Sequence, residues 1–201
     1  MIRTTLALTA AIAIAVPLHA AAKVGAPAPD FTATDSNGKL VKLSSLRGKT
    51  VVLEWHNPGC PFVQKHYRSG NMQKTQADAN KAGVVWLTIN SGAPGKQGYM
   101  VGPAANILVN KSGASPDAYL LDSKGVVGKA YSARTTPEMV LIDARGTLVY
   151  QGAIDDKPTT DVADIKTARN HLLAALGELK AGKPISVATS KPYGCTVRYA
   201  P

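Results

Sequence analysis

One short stretch of the chain joins an apolar strand to a helix through a cysteine. Residues 50–55 have the apolar, β-branched composition of a buried strand, and helical character begins at Pro61. Proline is favoured at the first position of a helix, so Cys60 is predicted to lie close to the helix N-cap. The unpaired amides and the helix dipole at that end stabilise an anion, which favours the thiolate form of Cys60. This unit therefore predicts a strand-to-helix turn with Cys60 at its centre.

The remainder of the chain is predicted to alternate strands with helices. Apolar runs and period-two alternation predict strands at residues 31–35, 40–43, 84–89, 118–122, 139–143 and 147–151. Helices are predicted at residues 61–68, 72–81, 103–111, 126–131 and 161–181. Helices that follow strands indicate parallel crossovers, and the late hairpin adds antiparallel edges. The fold class is therefore α/β, a mixed central sheet flanked by helices, with an N-terminal β-hairpin.

The longest predicted helix lies towards the C-terminal end of the chain. Apolar residues recur every three or four positions from Val162 to Leu179, which predicts one buried helix face. Thr160 is the expected N-cap of this helix, and Gly182 is the expected residue just beyond its end. Residues 185–201 show no clear period and are interpreted as a tail.

Composition excludes several functional classes. The chain has two cysteines in 201 residues, too few for a disulfide-scaffolded mini-protein or a four-cysteine metal site. Lys and Arg number 23 against 13 Asp and Glu, which gives a formal charge of +10. These positive charges are spread along the chain, without a basic tail or a nucleic-acid-binding motif. We therefore expect a solvated basic surface and no nucleic-acid partner.

The first residues have the pattern of an export signal. Arg3 supplies a positive charge, a short apolar stretch follows, and Ala20 and Ala22 satisfy the small-residue rule at a cleavage site. Cleavage after Ala20 or after Ala22 fits this rule. The alternative is a membrane anchor, but the apolar stretch is shorter than the roughly 20 residues that span a bilayer.

The signal pattern defines the expected organisation of the chain. We expect a signal peptide at residues 1–22, one folded domain at residues 23–184 and a C-terminal tail at residues 185–201. The mature protein is then expected to be periplasmic or secreted, with no stable membrane anchor. Both locations are oxidising, so disulfide bonds form and persist there.

Several polar side chains lie close to Cys60 in the sequence. His56, Lys65 and His66 can add positive potential at the sulfur, and Asn57 can donate a hydrogen bond to a thiolate or a peroxide. Two histidines that flank a single cysteine match no recognised ligand spacing, so no metal and no cofactor are expected. The alternative to a reactive Cys60 is a small, buried, inert cysteine.

Several segments of the chain share a family pattern. Residues 24–31 read Val-Gly-Ala-Pro-Ala-Pro-Asp-Phe, residues 59–63 read Gly-Cys-Pro-Phe-Val, and residues 135–143 read Thr-Thr-Pro-Glu-Met-Val-Leu-Ile-Asp. These segments resemble the redoxin family, the alkyl hydroperoxide reductase and thiol-specific antioxidant branch of the thioredoxin superfamily. Residues 152–156 and 193–197 resemble its exported, peroxiredoxin-like members. The resemblance extends over about residues 24 to 198.

The resemblance implies a thioredoxin-like fold with Cys60, followed by Pro61, as its reactive cysteine. It implies that Pro137 is cis and lies against Cys60, and that the backbone of Thr136 is free to pair with a substrate chain. Cis proline is a minority form of this peptide bond. The alternative is an ordinary trans proline that begins an edge strand.

The chain also departs from the family pattern. Val63 stands where a dithiol thioredoxin has its second cysteine, so Cys60 has no resolving thiol nearby in sequence. Leu53 and Asn57 stand where a typical peroxiredoxin has proline and threonine. Pro137 occupies a position at which peroxiredoxins have arginine. The groups that bind a peroxide in that family are therefore not evident.

Cys195 is the remaining cysteine, and three arrangements are open for it. It can resolve a mixed disulfide or a sulfenic acid on Cys60, which gives a reversible Cys60–Cys195 disulfide. It can form a permanent disulfide that fixes the tail to the domain. The two thiols can also lie too far apart to bond.

These observations predict an exported thiol–disulfide oxidoreductase. Cys60 is the expected attacking thiolate, Cys195 the resolving partner, and Thr136 and Pro137 the walls of a substrate groove. The expected partners are a disulfide-containing protein or a peroxide as substrate, and an exported thioredoxin-like reductant. The alternatives are a thiol peroxidase with Cys60 as the peroxidatic cysteine, and a non-catalytic module that binds partners or handles metal.

Overall fold

The computed structural model describes residues 21–201, so nearly all of the predicted signal peptide lies outside the described residues. Nine strands are β1 (Thr32–Asp35), β2 (Leu40–Lys42), β3 (Val51–Trp55), β4 (Val85–Asn90), β5 (Ala118–Leu121), β6 (Thr135–Thr136), β7 (Glu138–Ile142), β8 (Leu148–Gly152) and β9 (Cys195–Thr196) within that range. The helices are α1 (Pro61–Arg68), α2 (Asn71–Lys81), α3 (Gly102–Ser112), α4 (Val126–Ala130) and α5 (His171–Lys180). Short 3-10 turns lie at Leu43–Leu46 and Val162–Lys166.

Seven strands form one sheet in the order β2-β1-β5-β4-β3-β7-β8. Strands β3, β4 and β5 are parallel, whereas β7, β8 and the β1–β2 hairpin are joined by antiparallel pairing. The predicted mixed α/β sheet with an N-terminal hairpin is therefore confirmed. Strands β6 and β9 form a separate two-stranded unit beside this sheet.

The central strands are apolar because both faces of the sheet are covered. Leu53 and Trp55 pack on one face with Tyr131 from the end of α4, and Val52 packs on the other face with Leu172 of α5. Neighbouring residues of a strand point to opposite faces, so a strand buried on both sides reads as a continuous apolar run. The tryptophans of β3 and β4 are fully buried, as expected for core residues.

The prediction of one long helix at residues 161–181 is wrong. A 3-10 turn and a break precede α5, whose N-cap is Asn170 and not Thr160. The Asn170 side chain accepts a hydrogen bond from the Leu173 amide at 2.9 Å, and its extended backbone ends any helix that approaches from residue 166. Asn and Asp form such local bonds in competition with helical ones. Gly182 does follow the helix in a left-handed conformation, as predicted.

The tail is closely attached to the domain. The Val197 amide donates to the Arg134 carbonyl at 2.9 Å, and the Ala93 amide donates to the Arg198 carbonyl at 2.8 Å. The Val197 side chain is buried within the core cluster that contains β3. No helix among residues 21–201 is long and apolar enough to cross a membrane.

Candidate active site

Cys60 lies where the sequence predicts it, between β3 and α1. It is the N-cap residue of α1 with an extended backbone, and Pro61 occupies the first helical position. Its side chain is fully buried, and its thiol donates a hydrogen bond to the Thr136 carbonyl at 3.0 Å. The sulfur therefore lies at the positive end of the dipole of an eight-residue helix.

The Thr136–Pro137 peptide bond is cis, as the resemblance implied. However, the expectation that the Thr136 backbone is free is wrong for this structure. Strand β6 pairs antiparallel with β9, with Thr136 opposite Cys195 and Thr135 opposite Thr196. We call this unit the tail ribbon. The tail of the same chain thus occupies the backbone edge that a substrate chain was expected to use.

The tail ribbon brings the two cysteines of the chain together. Both are free thiols, and Cys195 is partly exposed whereas Cys60 is not. Burial, a hydrogen bond with the Cys60 side chain and the charge of Cys60 raise the pKa of Cys195 to about 12, while Arg198 acts in the opposite direction. Cys195 therefore keeps its proton at neutral pH.

Gly194 allows the tail to approach this closely. Its φ is +136°, and a Cβ atom there would lie 2.0 Å from the Thr136 carbonyl oxygen. A side chain would therefore collide with the backbone that forms the tail ribbon. Glycine avoids both the collision and the conformational penalty of a positive φ.

A buried polar socket holds Tyr193, which lies two residues before Cys195. The Tyr193 hydroxyl donates to the Asp155 carboxylate and lies 3.3 Å from His66 Nε2. Lys65 Nζ lies 3.8 Å from the same carboxylate and 5.7 Å from the centre of the tyrosine ring. We call Tyr193, Asp155, Lys65 and His66 the tyrosine anchor.

The charges of the tyrosine anchor are internally balanced. Burial is the main cause that lowers the pKa of His66 to about 4, although Asp155 opposes the shift, so His66 is neutral at pH 7. Lys65 is fully buried, pairs with Asp155 and donates to the Lys157 carbonyl at 2.7 Å. Burial, together with the neighbouring Asp155, raises the pKa of Tyr193 well above its usual value, so the phenol remains a donor.

The sequence did not reveal this anchor. Nothing in the sequence relates Asp155 to Tyr193, which lies 38 positions away. The positive potential expected at the sulfur from His66 and Lys65 is also not available, since one is neutral and the other is paired.

His56 and Asn57 shape the loop before Cys60. His56 Nδ1 lies 2.9 Å from the Tyr119 hydroxyl, and burial lowers the pKa of His56 to about 3, so the ring is neutral and adds no charge. The Asn57 Oδ1 atom accepts from the Gly59 amide at 2.9 Å, and Nδ2 donates to the Gln97 Oε1 atom at 2.9 Å. The Asn57 side chain therefore stabilises the turn before Cys60, whereas the His56 ring is held against β5.

Sequence reasoning missed a buried carboxyl group in β3. Glu54 is fully buried, and its carboxyl oxygens accept hydrogen bonds from the side chains of Tyr67, Gln76, Trp86 and Thr88. Burial raises the pKa of Glu54 above its usual value, although these four donors oppose the shift. The sequence feature that could have indicated this buried carboxyl group is a single acidic residue inside an otherwise apolar strand.

No metal centre is evident among the described residues, because no three His, Cys, Asp or Glu side chains cluster there. The two histidines near Cys60 instead bind a tyrosine hydroxyl each.

Comparison with known proteins identifies the family. Residues 23–169 match the family model for Redoxin. The chain belongs to the redoxin family. Among curated proteins, it is 26% identical over 125 residues to the thiol-disulfide oxidoreductase ResA of Bacillus subtilis (strain 168). That match covers 62% of this chain and 64% of ResA, so it spans less than two thirds of the relative.

Solved structures show the same fold over most of this redoxin. A hypothetical protein of Sinorhizobium meliloti 1021 has a TM-score of 0.74 and 24% identity, covering 90% of this chain and 97% of its own. An uncharacterized conserved protein of Geobacillus kaustophilus has a TM-score of 0.73 and 26% identity, covering 89% and 93% respectively. Together with the Redoxin match, these structures confirm the thioredoxin-like architecture expected from the resemblance.

Proposed function

We propose that this redoxin is a thiol–disulfide oxidoreductase in which Cys60 attacks and Cys195 resolves. The observation that supports this most directly is the tail ribbon, in which Thr136 faces Cys195 and also accepts the Cys60 thiol hydrogen bond. A relative named as a thiol-disulfide oxidoreductase supports the reaction class. Export to the periplasm or out of the cell, indicated by residues 1–22, would place the protein where disulfides persist.

The reaction is a pair of thiol–disulfide exchanges. The Cys60 thiolate attacks one sulfur of a substrate disulfide, which forms a mixed disulfide and releases the first substrate thiol. Cys195 then attacks the Cys60 sulfur, its proton passes to the departing substrate thiolate, and the Cys60–Cys195 disulfide forms. The substrate gains two electrons and the protein loses two. An exported thioredoxin-like dithiol would return the protein to its reduced form.

Substrate entry requires the tail ribbon to open. Cys60 is fully buried, and its neighbour Thr136 is paired with the tail. A substrate segment that replaced β9 would gain the same backbone pairing to Thr136 beside the sulfur, as in other cases of strand addition to an exposed edge. Protein disulfides in extended segments are the substrate class that fits this exchange.

A peroxide is the alternative substrate for the same two cysteines. Cys60 would then become a sulfenic acid, and Cys195 would condense with it to give water and the same disulfide. Asn57 and Pro137 stand where peroxiredoxins have threonine and arginine, which favours disulfide exchange. A third alternative is a module that binds partners without turnover.

The test compares both substrates under one reductant. Mature protein, Cys60→Ser and Cys195→Ser are each incubated with dithiothreitol and either a protein disulfide or hydrogen peroxide. We expect the protein disulfide to be reduced at the faster rate and Cys60→Ser to fall to background. In a parallel incubation of pre-reduced protein without dithiothreitol, which would itself cleave a mixed disulfide, Cys195→Ser is expected to accumulate a mixed disulfide with the protein substrate. Faster consumption of peroxide would favour the peroxidase, and no turnover of either substrate would favour the binding module.

A further inference from the structure

We propose that an external thiol attacks the Cys195 sulfur of the Cys60–Cys195 disulfide, so that Cys60 is the leaving group. The inference rests on the proposed function, because it requires the Cys60–Cys195 disulfide. The two halves of the cycle would then use different sulfurs. Cys60 meets the oxidising substrate after the tail opens, and Cys195 meets the reductant while the tail remains in place.

The first argument is access to the two sulfurs. Cys60 is completely buried below the tail ribbon, whereas Cys195 is partly exposed and is followed by the exposed Thr196. An attacking thiolate approaches a disulfide sulfur from the side opposite the sulfur that leaves. For attack at Cys60, that approach would have to pass through buried protein. For attack at Cys195, the approach comes from the exposed side of the tail.

The second argument concerns the leaving group. Disulfide exchange is faster when the departing thiolate is the more stable one. Cys60 departs into the N-terminal end of α1, where the helix dipole and free amides stabilise negative charge. Cys195 lies in a two-residue strand with no helix end, and burial and the neighbouring Cys60 favour its protonated form. Departure of Cys60 is therefore the favoured direction.

The third argument is that the tail is held in place on both sides of Cys195. The tyrosine anchor holds Tyr193 before it, and the backbone bond from Val197 to Arg134 holds the chain after it. The Tyr199 hydroxyl also donates to the Ala133 carbonyl at 2.7 Å. A thiol can therefore meet Cys195 without any opening of the tail.

The exchange balances as two successive substitutions. A thiolate from a low-molecular-weight thiol or a dithiol protein forms a bond to the Cys195 sulfur. The Cys195–Cys60 bond breaks, and its electron pair goes to Cys60. A second thiolate then attacks the entering sulfur, which releases the oxidised reductant as a disulfide, and Cys195 takes up a proton.

The experiment maps the first mixed disulfide. Mature wild-type protein is oxidised with diamide, a two-electron thiol oxidant, and loss of two free thiols in an intact monomer establishes the intramolecular disulfide. The oxidised protein is then mixed with glutathione for short times, quenched with acid, alkylated with N-ethylmaleimide and analysed by peptide mapping. We expect glutathione on the peptide with Cys195 and maleimide on the peptide with Cys60, by about tenfold or more over the reverse.

Each outcome has a distinct meaning. Glutathione found mainly on Cys60, or equally on both peptides, would overturn entry at Cys195 while leaving the proposed function intact. Failure to form the intramolecular disulfide would overturn the proposed pairing of the two cysteines. Single variants give an independent measurement, because Ser at position 60 or 195 leaves one thiol. We expect Cys195 in Cys60→Ser to react with an aromatic disulfide probe in its folded state, whereas Cys60 in Cys195→Ser becomes reactive only as the tail opens.

Discussion

Thr136 and Cys195 are backbone partners in an antiparallel ribbon, and the Thr136 carbonyl also receives the Cys60 thiol hydrogen bond. Thr136 therefore contacts both cysteines. The position of Cys195 over Cys60 depends on the register of the ribbon, which Gly194 permits and the tyrosine anchor stabilises. Changes at these two places should separate the tail from the sulfur without touching either cysteine.

Gly194→Ala is expected to disrupt the tail ribbon. The new Cβ would lie 2.0 Å from the Thr136 carbonyl oxygen, at a φ of +136° that side chains rarely adopt. Strain of roughly 1–3 kcal/mol is typical of such backbone conformations, so the rate of Cys60–Cys195 disulfide formation should fall by about tenfold or more. The measurement is thiol loss with oxidised glutathione. Gly177→Ala in α5 is the control, because a Cβ there meets nothing within 4 Å. Equal rates in both variants would contradict the role of Gly194.

Tyr193→Phe is expected to expose Cys60 more often. The variant loses the hydrogen bond to the buried Asp155 carboxylate but keeps the ring, and bonds to charged groups contribute about 1.5–3 kcal/mol. Opening of the tail should rise by about tenfold. Alkylation of Cys60 by iodoacetamide, measured in the Cys195→Ser background, should accelerate by the same factor.

Tyr131→Phe provides the matched control for that change. Its hydroxyl donates to the Pro29 carbonyl at 2.8 Å, so the variant also loses one hydroxyl bond, but one whose partner is not a tail residue. An equal acceleration in both variants would indicate general destabilisation and not release of the tail.

Glu54 is expected to make the protein less stable as pH rises. Its pKa in the folded protein is raised, chiefly by burial, so the folded state holds the proton more tightly than the unfolded chain does. The favourable contribution is complete below the unfolded pKa near 4.5 and is lost as pH rises through the raised folded pKa. Across that window the free energy of unfolding should fall by up to about 1.4 kcal/mol per pH unit relative to Glu54→Gln.

Urea unfolding from pH 4 to pH 8 measures this difference for wild type and Glu54→Gln. Glu178→Gln serves as the control, because a hydrogen bond from Ser186 lowers the pKa of Glu178 and its effect should have the opposite sign. A difference between wild type and Glu54→Gln that does not change with pH would contradict the prediction.

The parts of this fold that follow local rules could be predicted from the sequence. Pro61 at the first helical turn placed Cys60 at the N-cap, and the apolar run before it placed β3. The hairpin of residues 139–151 and the left-handed Gly182 also follow from local preferences. In each case the decisive interactions lie within a few positions along the chain.

The parts that depend on distant contacts could not be predicted. Strand β9 has only two residues, too few for any periodic pattern, and exists because Thr136 offers it a backbone edge. Asp155 and Tyr193 meet only because the tail folds back over α1. The prediction of a helix across Asn170 was wrong because the apolar spacing continues past this residue. The side chain of Asn170 instead caps the helix that follows it.

Arg198→Gln is expected to slow reduction by anionic thiols. Burial, above all, raises the pKa of the Cys195 thiol, and the charge of the exposed Arg198 opposes that rise. Glutathione carries a net negative charge, so loss of this cation should slow its attack on the oxidised protein by roughly two- to fivefold at low salt. The attacking thiolate of cysteamine also carries an ammonium group and has no net charge, so its rate should change much less. Added salt should reduce the effect on glutathione.

Lys39→Gln is the matched control for charge alone. Lys39 is exposed at the β1–β2 hairpin, at the opposite end of the sheet from β8, where the tail attaches. The rates follow from stopped-flow measurement of thiol release by each reagent. If Arg198→Gln slowed both thiols by the same factor, or Lys39→Gln gave the same pattern as Arg198→Gln, the local field at Cys195 would not govern the reaction. A slowing of glutathione relative to cysteamine that is confined to Arg198→Gln places the entering thiol beside Cys195.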